Sequence, residues 1–340
     1  MPRNHRGGDS KRRLNVGRWA FILTLAMKKC VVTGAAGFIG SHLCESLLAD
    51  GINVVGIDAF IPYYPADVKR KNLQPALEHS RFEFQELDLR TDSLDAALEG
   101  ADTVIHLAAM PGLRRSWSEF ELYSSCNING TQRLLDAVHH SSVEHFICGS
   151  TSSVYGKEAV GPESAELAPA SPYGLTKLAA ENLCRAYEMN FGLPVTVLRL
   201  FSVYGPRQRP DMAYTILIDC LLHSKPFTRL GTGEQTRSNT FVTDCVQGIR
   251  LAAAKPDRSI GETFNIGGGE VVSLNEVITI LESMTSSKLS INPGPSCPGD
   301  QLHTRANIDK AMDLLGYLPS TAVREGLAAQ LEWRGAVSAI

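Results

Sequence analysis

The sequence has no C-x-x-C pair. Its eight cysteines (Cys30, Cys44, Cys126, Cys148, Cys184, Cys220, Cys245 and Cys297) are scattered along 340 residues. That spacing excludes a zinc cluster and a small disulfide scaffold, and it favours reduced thiols in the cytosol. No excess of basic charge is present either. Lysine and arginine total 33 against 36 acids, a net charge of −3, so the chain lacks the broad positive field of a nucleic-acid binder. Internal repeats and low-complexity tracts are missing. Long apolar runs are missing too. The run Trp19 to Met27, which follows a basic stretch, ends directly at Lys28-Lys29 and is too short to span a bilayer. Without a clear cleavage site it does not read as a signal peptide. Residues 1–26 are expected to be a disordered extension, with the folded chain beginning near Met27 and no membrane role.

What is present is a regular alternation. Runs at 28–33, 52–58, 102–107, 144–148 and 195–200 suit buried strands, and 82–87 partly alternates. Segments at 38–49, 91–99, 118–140 and 172–190 have helical period. This order predicts βαβ units and an α/β fold, a doubly wound parallel sheet of Rossmann type with helices on both faces. After Leu200 the character changes. Helices are expected at about 212–223, 243–254, 273–284 and 321–333, with few strong strands. The predicted division is a dinucleotide-binding domain at 27–203 plus about 241–264. A smaller α+β substrate domain takes 204–240 and 265–335.

Two stretches carry the chemistry. In Thr33-Gly34-Ala35-Ala36-Gly37-Phe38-Ile39-Gly40 a strand ends and a helix begins. Gly34, Gly37 and Gly40 would let backbone amides approach a pyrophosphate at the helix N-terminus, with Phe38 and Ile39 in the same turn. Asp58 ends the next strand, eighteen residues after Gly40, where an acid holds adenosine ribose hydroxyls and prefers NAD to NADP. Asp88 and Leu89 follow the third strand, and Leu107, Ala108 and Ala109 follow the fourth. Such strand ends are where an open α/β sheet takes its ligand.

The second stretch is Tyr173-Gly174-Leu175-Thr176-Lys177. Tyr173 and Lys177 share a helix face. A tyrosine phenol titrates near 10, and a neighbouring ammonium favours its ionised form, so the pair could act as a base on an alcohol. Pro172 suits a helix start. Thr151 would supply a bridging hydroxyl.

Together these residues resemble the extended short-chain dehydrogenase/reductase superfamily, in its nucleotide-sugar epimerase/dehydratase branch. The resemblance runs from about Met27 to Leu331 through TGAAGFIG (33–40), HLAA (106–109), STSSVYG (150–156), YGLTK (173–177), RLFSVYGPRQRPDMA (199–213), FNIGGGE (264–270) and PGDQLHT (298–304). It implies Thr151, Tyr173 and Lys177 as catalytic residues, and NAD, contacted also by Tyr173 and Lys177, as a cofactor retained through the cycle. It also implies a homodimer paired through helices near 118–140 and 172–190.

Dehydratases of this family typically carry an Asp-Glu pair after the catalytic Thr, and UDP-glucuronate decarboxylases usually a Glu two residues after it. Here Ser152 and Ser153 occupy those places. Without an acid, the expected reaction is 4-epimerisation: oxidation at C4, rotation of the 4-keto sugar and hydride return. Residues 207–213 look like the segment of UDP-glucuronate 4-epimerases in which the second arginine, here Arg209, meets the sugar carboxylate. Ser153 and Ser202 would assist it. Arg237 matches the family arginine for the nucleotide diphosphate, and Asp300 a ribose-contacting acid. Two departures stand out: Arg237-Ser238-Asn239 replaces R-D-F/Y, and Cys297 replaces an arginine before Pro-Gly-Asp. The alternatives are a UDP-glucose or UDP-N-acetylglucosamine 4-epimerase and a UDP-glucuronate decarboxylase.

Overall fold

Seven segments pair into one parallel sheet in the computed structural model, which describes residues 27–338. The expectation for residues 1–26 lies outside the described residues. The sheet strands are β1 (Lys29–Thr33), β2 (Asn53–Ile57), β3 (Phe82–Gln85), β4 (Thr103–His106), β5 (His145–Thr151), β6 (Val195–Leu200) and β7 (Thr263–Ile266). Their spatial order is β3-β2-β1-β4-β5-β6-β7, with every pairing parallel. The order reverses between β1 and β4, and the crevice above a doubly wound sheet opens at that point. β1, β4 and β5 are buried almost throughout, as strands covered on both faces must be.

Helices cover the two faces over two separate apolar clusters. One holds Leu43, Leu47, Ile249 and Phe264, the other Leu98, Leu134, Phe146 and Val197. The helices are α1 (Phe38–Ala49), α2 (Ala66–Leu77), α3 (Gly130–His139), α4 (Pro172–Phe191), α5 (Ala213–Leu222), α6 (Val242–Ala254), α7 (Leu274–Thr285) and α8 (Val323–Ser338). A third cluster, with Leu217, Phe227, Val277 and Leu327, joins α5, α7 and α8 over short strands. All three helices follow Leu200 in the chain.

Three local outcomes differ from the sequence reading. α2 has weak apolar periodicity and an internal Pro75, so it left no helical signal. The segment expected to be helical over 91–99 is helical only at Asp95–Leu98. The helix expected over 118–140 is broken into Phe120–Ser124, a π turn at Ser125–Asn129, and α3. Such a turn commonly marks a functional residue. Here it carries Asn127, whose side chain accepts from the Met110 amide (2.7 Å) and donates to the Met110 carbonyl (3.1 Å) and Thr176 Oγ1 (3.0 Å). The loop after β4 is thereby tied to α4.

α4 starts where its sequence dictates. Ser171 caps it by accepting from the Gly174 amide (3.1 Å), Pro172 opens it, and Gly192 ends it at φ 68°. Deeper along α4, Glu181 is clamped by Arg199 of β6 at 2.8 Å, both side chains being 6% exposed. Arg199 also donates to Tyr155 Oη (2.8 Å) and the Glu163 carbonyl (2.9 Å), and Ser150 Oγ donates to Glu181. Removing one member of such a pair strands a buried charge. Glu181→Ala is expected to cost about 3–5 kcal/mol of stability, read as a lowered urea midpoint. A loss below about 1 kcal/mol would mean that the pair is no more than a surface ion pair in effect.

Candidate active site

A cleft of about 240 Å³ lies in the crevice at the switch point. Its floor is the β1–α1 turn. Gly34 adopts φ 72°, and a Cβ there would lie 2.8 Å from the Ala108 amide nitrogen. A Cβ at Gly40 would overlap the Gly34 carbonyl oxygen. Only glycine lets this turn and the β4 end come together. α1 begins at Gly37 without a side-chain cap, so its first-turn amides are left for an anion. Phe38 and Ile39 line the same floor. Gly40→Ala is expected to weaken dinucleotide binding by roughly 5- to 150-fold, because overpacking here costs about 1–3 kcal/mol. Titration by cofactor fluorescence checks this, and unchanged binding would show that the turn can relax.

The strand ends supply the walls. Asp58 follows β2, is 8% exposed, and accepts from the Phe60 amide (2.9 Å) and Lys69 Nζ (3.3 Å). Asp88, with Leu89, follows β3. Arg90 grips the Asp88 carboxylate with Nε and Nη2 (2.7 Å at closest) and holds its pKa below the usual carboxylate value. Leu107, Ala108 and Ala109 follow β4 on the same wall.

A brace that the sequence reading did not assign fixes that wall. Thr131 Oγ1 donates to the Asn127 carbonyl (2.7 Å), so it accepts from His106 Nε2 (2.9 Å). His106 Nδ1 then accepts from Thr33 Oγ1 (2.8 Å), which in turn accepts from the Ala108 amide (3.2 Å). Full burial, then the Lys177 charge, push the His106 pKa down to about 3, so the ring stays neutral and the chain keeps one polarity. The signal for it was the histidine of the 106–109 motif.

Across the cleft stand Tyr173 and Lys177, one turn apart on α4. Lys177 is 3% exposed, and both line the space. β5 runs three residues further than its apolar run suggested, so Thr151 is its last residue. The Thr151 hydroxyl donates to Ser153 Oγ (3.2 Å) and accepts from the Ser153 amide (3.2 Å), capping the one-turn helix Ser152–Tyr155. That turn packs under the start of α4: a Cβ on Gly174 would sit 2.7 Å from the Ser153 carbonyl. Ser153 therefore packs beside Gly174, and neither Thr151 nor Ser153 lines the cleft as Gly149 and Ser150 do. Arg209, from the loop after β6, lines the same cleft as Tyr173.

Ser202, Arg237 and Asp300 lie outside this lining. Ser202 takes φ 29° and accepts from the Thr240 amide through its carbonyl (3.2 Å). Arg237 Nη2 donates to Asp300 Oδ1 at 2.8 Å, so these two expected substrate contacts are paired with each other. They stay close to the turn after Thr151, because Gln301 donates to the carbonyls of Ser152 (3.1 Å) and Gly156 (2.9 Å). At the departing position, Asn239 accepts from Tyr214 Oη (2.5 Å) and donates to the Arg237 carbonyl (2.8 Å). The strand holding Arg237 is thus fixed without the family's usual residues.

Residues 30–267 match the NAD dependent epimerase/dehydratase family. The chain belongs to that family. Among its relatives is the "Uncharacterized UDP-glucose epimerase YtcB" of Bacillus subtilis, 47% identical over 90% of this chain and 97% of that protein. Another is the UDP-glucuronate 4-epimerase of Thermodesulfobacterium geofontis, 35% identical over 89% and 95%. The crystal structure of UDP-glucuronic acid 4-epimerase from Bacillus cereus, in complex with UDP-glucuronic acid and NAD, superposes with a TM-score of 0.89. It is 44% identical and covers 91% of this chain and 99% of that one. Like its family, this epimerase/dehydratase member takes NAD, and the glycine floor, the uncapped α1 and Asp58 fit that cofactor. Among the described residues, no helix is long and apolar enough to cross a membrane.

Proposed function

We propose that this enzyme is an NAD-dependent UDP-sugar 4-epimerase that converts UDP-glucuronate to UDP-galacturonate. The observation that carries the reading is Arg209, a guanidinium in the wall of the cleft that also holds Tyr173 and Lys177. A guanidinium fork matches a carboxylate in two parallel hydrogen bonds. NAD, bound over Gly34, Gly37 and Gly40 with its ribose at Asp58, supplies a reversible hydride acceptor. Tyr173 Oη takes the proton of the sugar O4 and returns it after the sugar has turned. Lys177 supports the phenolate by charge, and the Thr151 hydroxyl steadies O4. Ser153 and Ser202 help to hold the sugar, and Arg237 and Asp300 meet the nucleotide when their mutual pair opens. In domain terms, 27–203 with about 241–264 holds NAD, and 204–240 with 265–335 holds the UDP-sugar.

Elimination needs an acid beside the keto sugar. The only carboxylates lining the cleft among the described residues are Asp58 and Asp88, at the ends of β2 and β3 on the side away from β5. Glu181 is held behind β5 by Arg199 and Ser150. Both facts favour epimerisation over dehydration.

We also propose a cytoplasmic C2 homodimer. Trp117, Phe120, Leu175 and Phe191 are each at least half exposed on or beside the helices that would pair. Light scattering should then give twice the 36.9 kDa chain mass.

The deciding experiment is incubation of the purified protein with UDP-glucuronate, without added NAD, followed by proton NMR. UDP-galacturonate as sole product is expected. UDP-xylose or a 4-keto pentose would make it a decarboxylase. No reaction, with turnover of UDP-glucose or UDP-N-acetylglucosamine instead, would make it a neutral-sugar epimerase.

A further inference from the structure

Arg209 enters the cleft already partnered. Its Nε donates to Asp211 Oδ1 and its Nη2 to Asp211 Oδ2, both at 2.9 Å. Tyr63 Oη donates to the same Oδ2 (3.2 Å), and the Tyr63 ring centre lies 5.5 Å from the guanidinium carbon. Gly112 is required behind this group, since a Cβ there would overlap the Tyr63 hydroxyl. The loop backbone is fixed immediately before Arg209. Gln208 is buried and bonded to Thr215, Val203 and Gln330. Arg207, at φ 65°, pairs with Glu45 of α1.

A guanidinium has two bidentate edges. Asp211 takes the Nε–Nη2 edge. What is left is Nη1 with the outer hydrogen of Nη2, an edge that can receive one more carboxylate. Arg209 lines the cleft and Asp211 does not, so Asp211 holds the guanidinium from behind.

We propose that Asp211 is a positioning and specificity-tuning residue. It sets the plane of Arg209 and cancels part of its charge, so that a substrate carboxylate is gripped weakly enough to be released while the sugar turns. This rests on the uronate reading above. In a 4-epimerisation both faces of C4 must be presented in turn, so the carboxylate on C5 must leave one position and take another. An uncompensated, desolvated guanidinium would hold the first position too firmly. Affinity gained equally in every bound state speeds nothing, and affinity for one bound pose alone slows its exit. Asp211 gives up such affinity in favour of turnover.

The test is Asp211→Asn in the full chain, which keeps the shape and removes the charge. Binding of UDP-glucuronate, UDP-glucose and UDP is measured by calorimetry in a Tyr173→Phe background, where no chemistry intervenes. UDP-glucuronate should bind roughly three- to fivefold more tightly, the weight of a partly exposed charge pair, with UDP-glucose and UDP unchanged. With Tyr173 intact, kcat for UDP-glucuronate should fall by a similar factor while KM falls with it. Asp211→Glu, which restores the charge, should restore both. UDP-glucuronate affinity that is unchanged or weaker would overturn the proposal, and a parallel loss of UDP binding would reduce Asp211 to a support for the loop. The affinity ratio between the charged and neutral sugars is read without turnover. A failure of the epimerase reading, seen as no reaction by the native chain, is therefore distinct from a failure of this one.

Discussion

Tyr173→Phe is expected to lower UDP-glucuronate turnover about a thousandfold while leaving NAD and UDP binding intact. In the proposed mechanism the Tyr173 phenol exchanges a proton with the sugar hydroxyl, and positioned general acid–base catalysis contributes ~10²–10⁴-fold. The substitution removes a single oxygen. The ring keeps its edge-on packing against Tyr123, whose centroid is 6.4 Å away, and α4 keeps its Ser171 cap. Lys177 keeps its place because Glu181, one turn further along, is engaged by Arg199 and Ser150 and does not compete for the ammonium. The loss should therefore fall on kcat and not on KM, as it must when an interaction made only during reaction is removed. Proton NMR of product formation measures it, with calorimetric UDP binding as the control. A fall of less than tenfold would mean that another group, such as Thr151, carries the proton.

Much of this site could be read before any coordinates. Apolar runs separated by glycine or turn residues marked five of the seven sheet strands, because a strand covered on both faces must be apolar throughout, and the edge strand β3 showed only partial alternation. The glycine floor was legible because its spacing reflects steric need at Gly34 and Gly40. What escaped depends on partners distant in sequence. His106 looks like a buried strand residue until Thr33 and Thr131 are seen on either side of its ring. Glu181 and Arg199 are each ordinary charges until β6 is laid beside α4. Asn127 was hidden because a π turn does not alter helical periodicity enough to announce itself. The same limit applies to the substrate side. Arg237 and Asp300 were picked separately from two motifs, and nothing in either motif says that they pair.

Arg209→Ala is expected to change what the enzyme makes as well as how fast. Losing a charge-assisted, bidentate contact should lower kcat/KM for UDP-glucuronate by roughly 10–100-fold, from ~1.5–3 kcal/mol per bond to a charged group. UDP-glucose turnover should change little. The second effect follows from the chemistry of the keto sugar. A 4-keto uronate is a β-keto acid and loses carbon dioxide when its carboxylate bond aligns with the carbonyl π system. In the proposed reading Arg209, fixed by Asp211 and Tyr63, would hold the carboxylate in one orientation before and after the sugar turns and keep its negative charge localised, both of which oppose that loss. With the guanidinium gone, the carboxylate is free to reach the reactive alignment. A UDP-pentose or UDP-4-keto-pentose should then be visible by proton NMR, accompanied by carbon dioxide. The two variants of this loop should move in opposite directions. Asp211→Asn strengthens the grip and slows release, whereas Arg209→Ala abolishes the grip and opens decarboxylation. Product ratios and affinities left unaltered by Arg209→Ala would remove the arginine from the sugar site and return it to the support of its own loop.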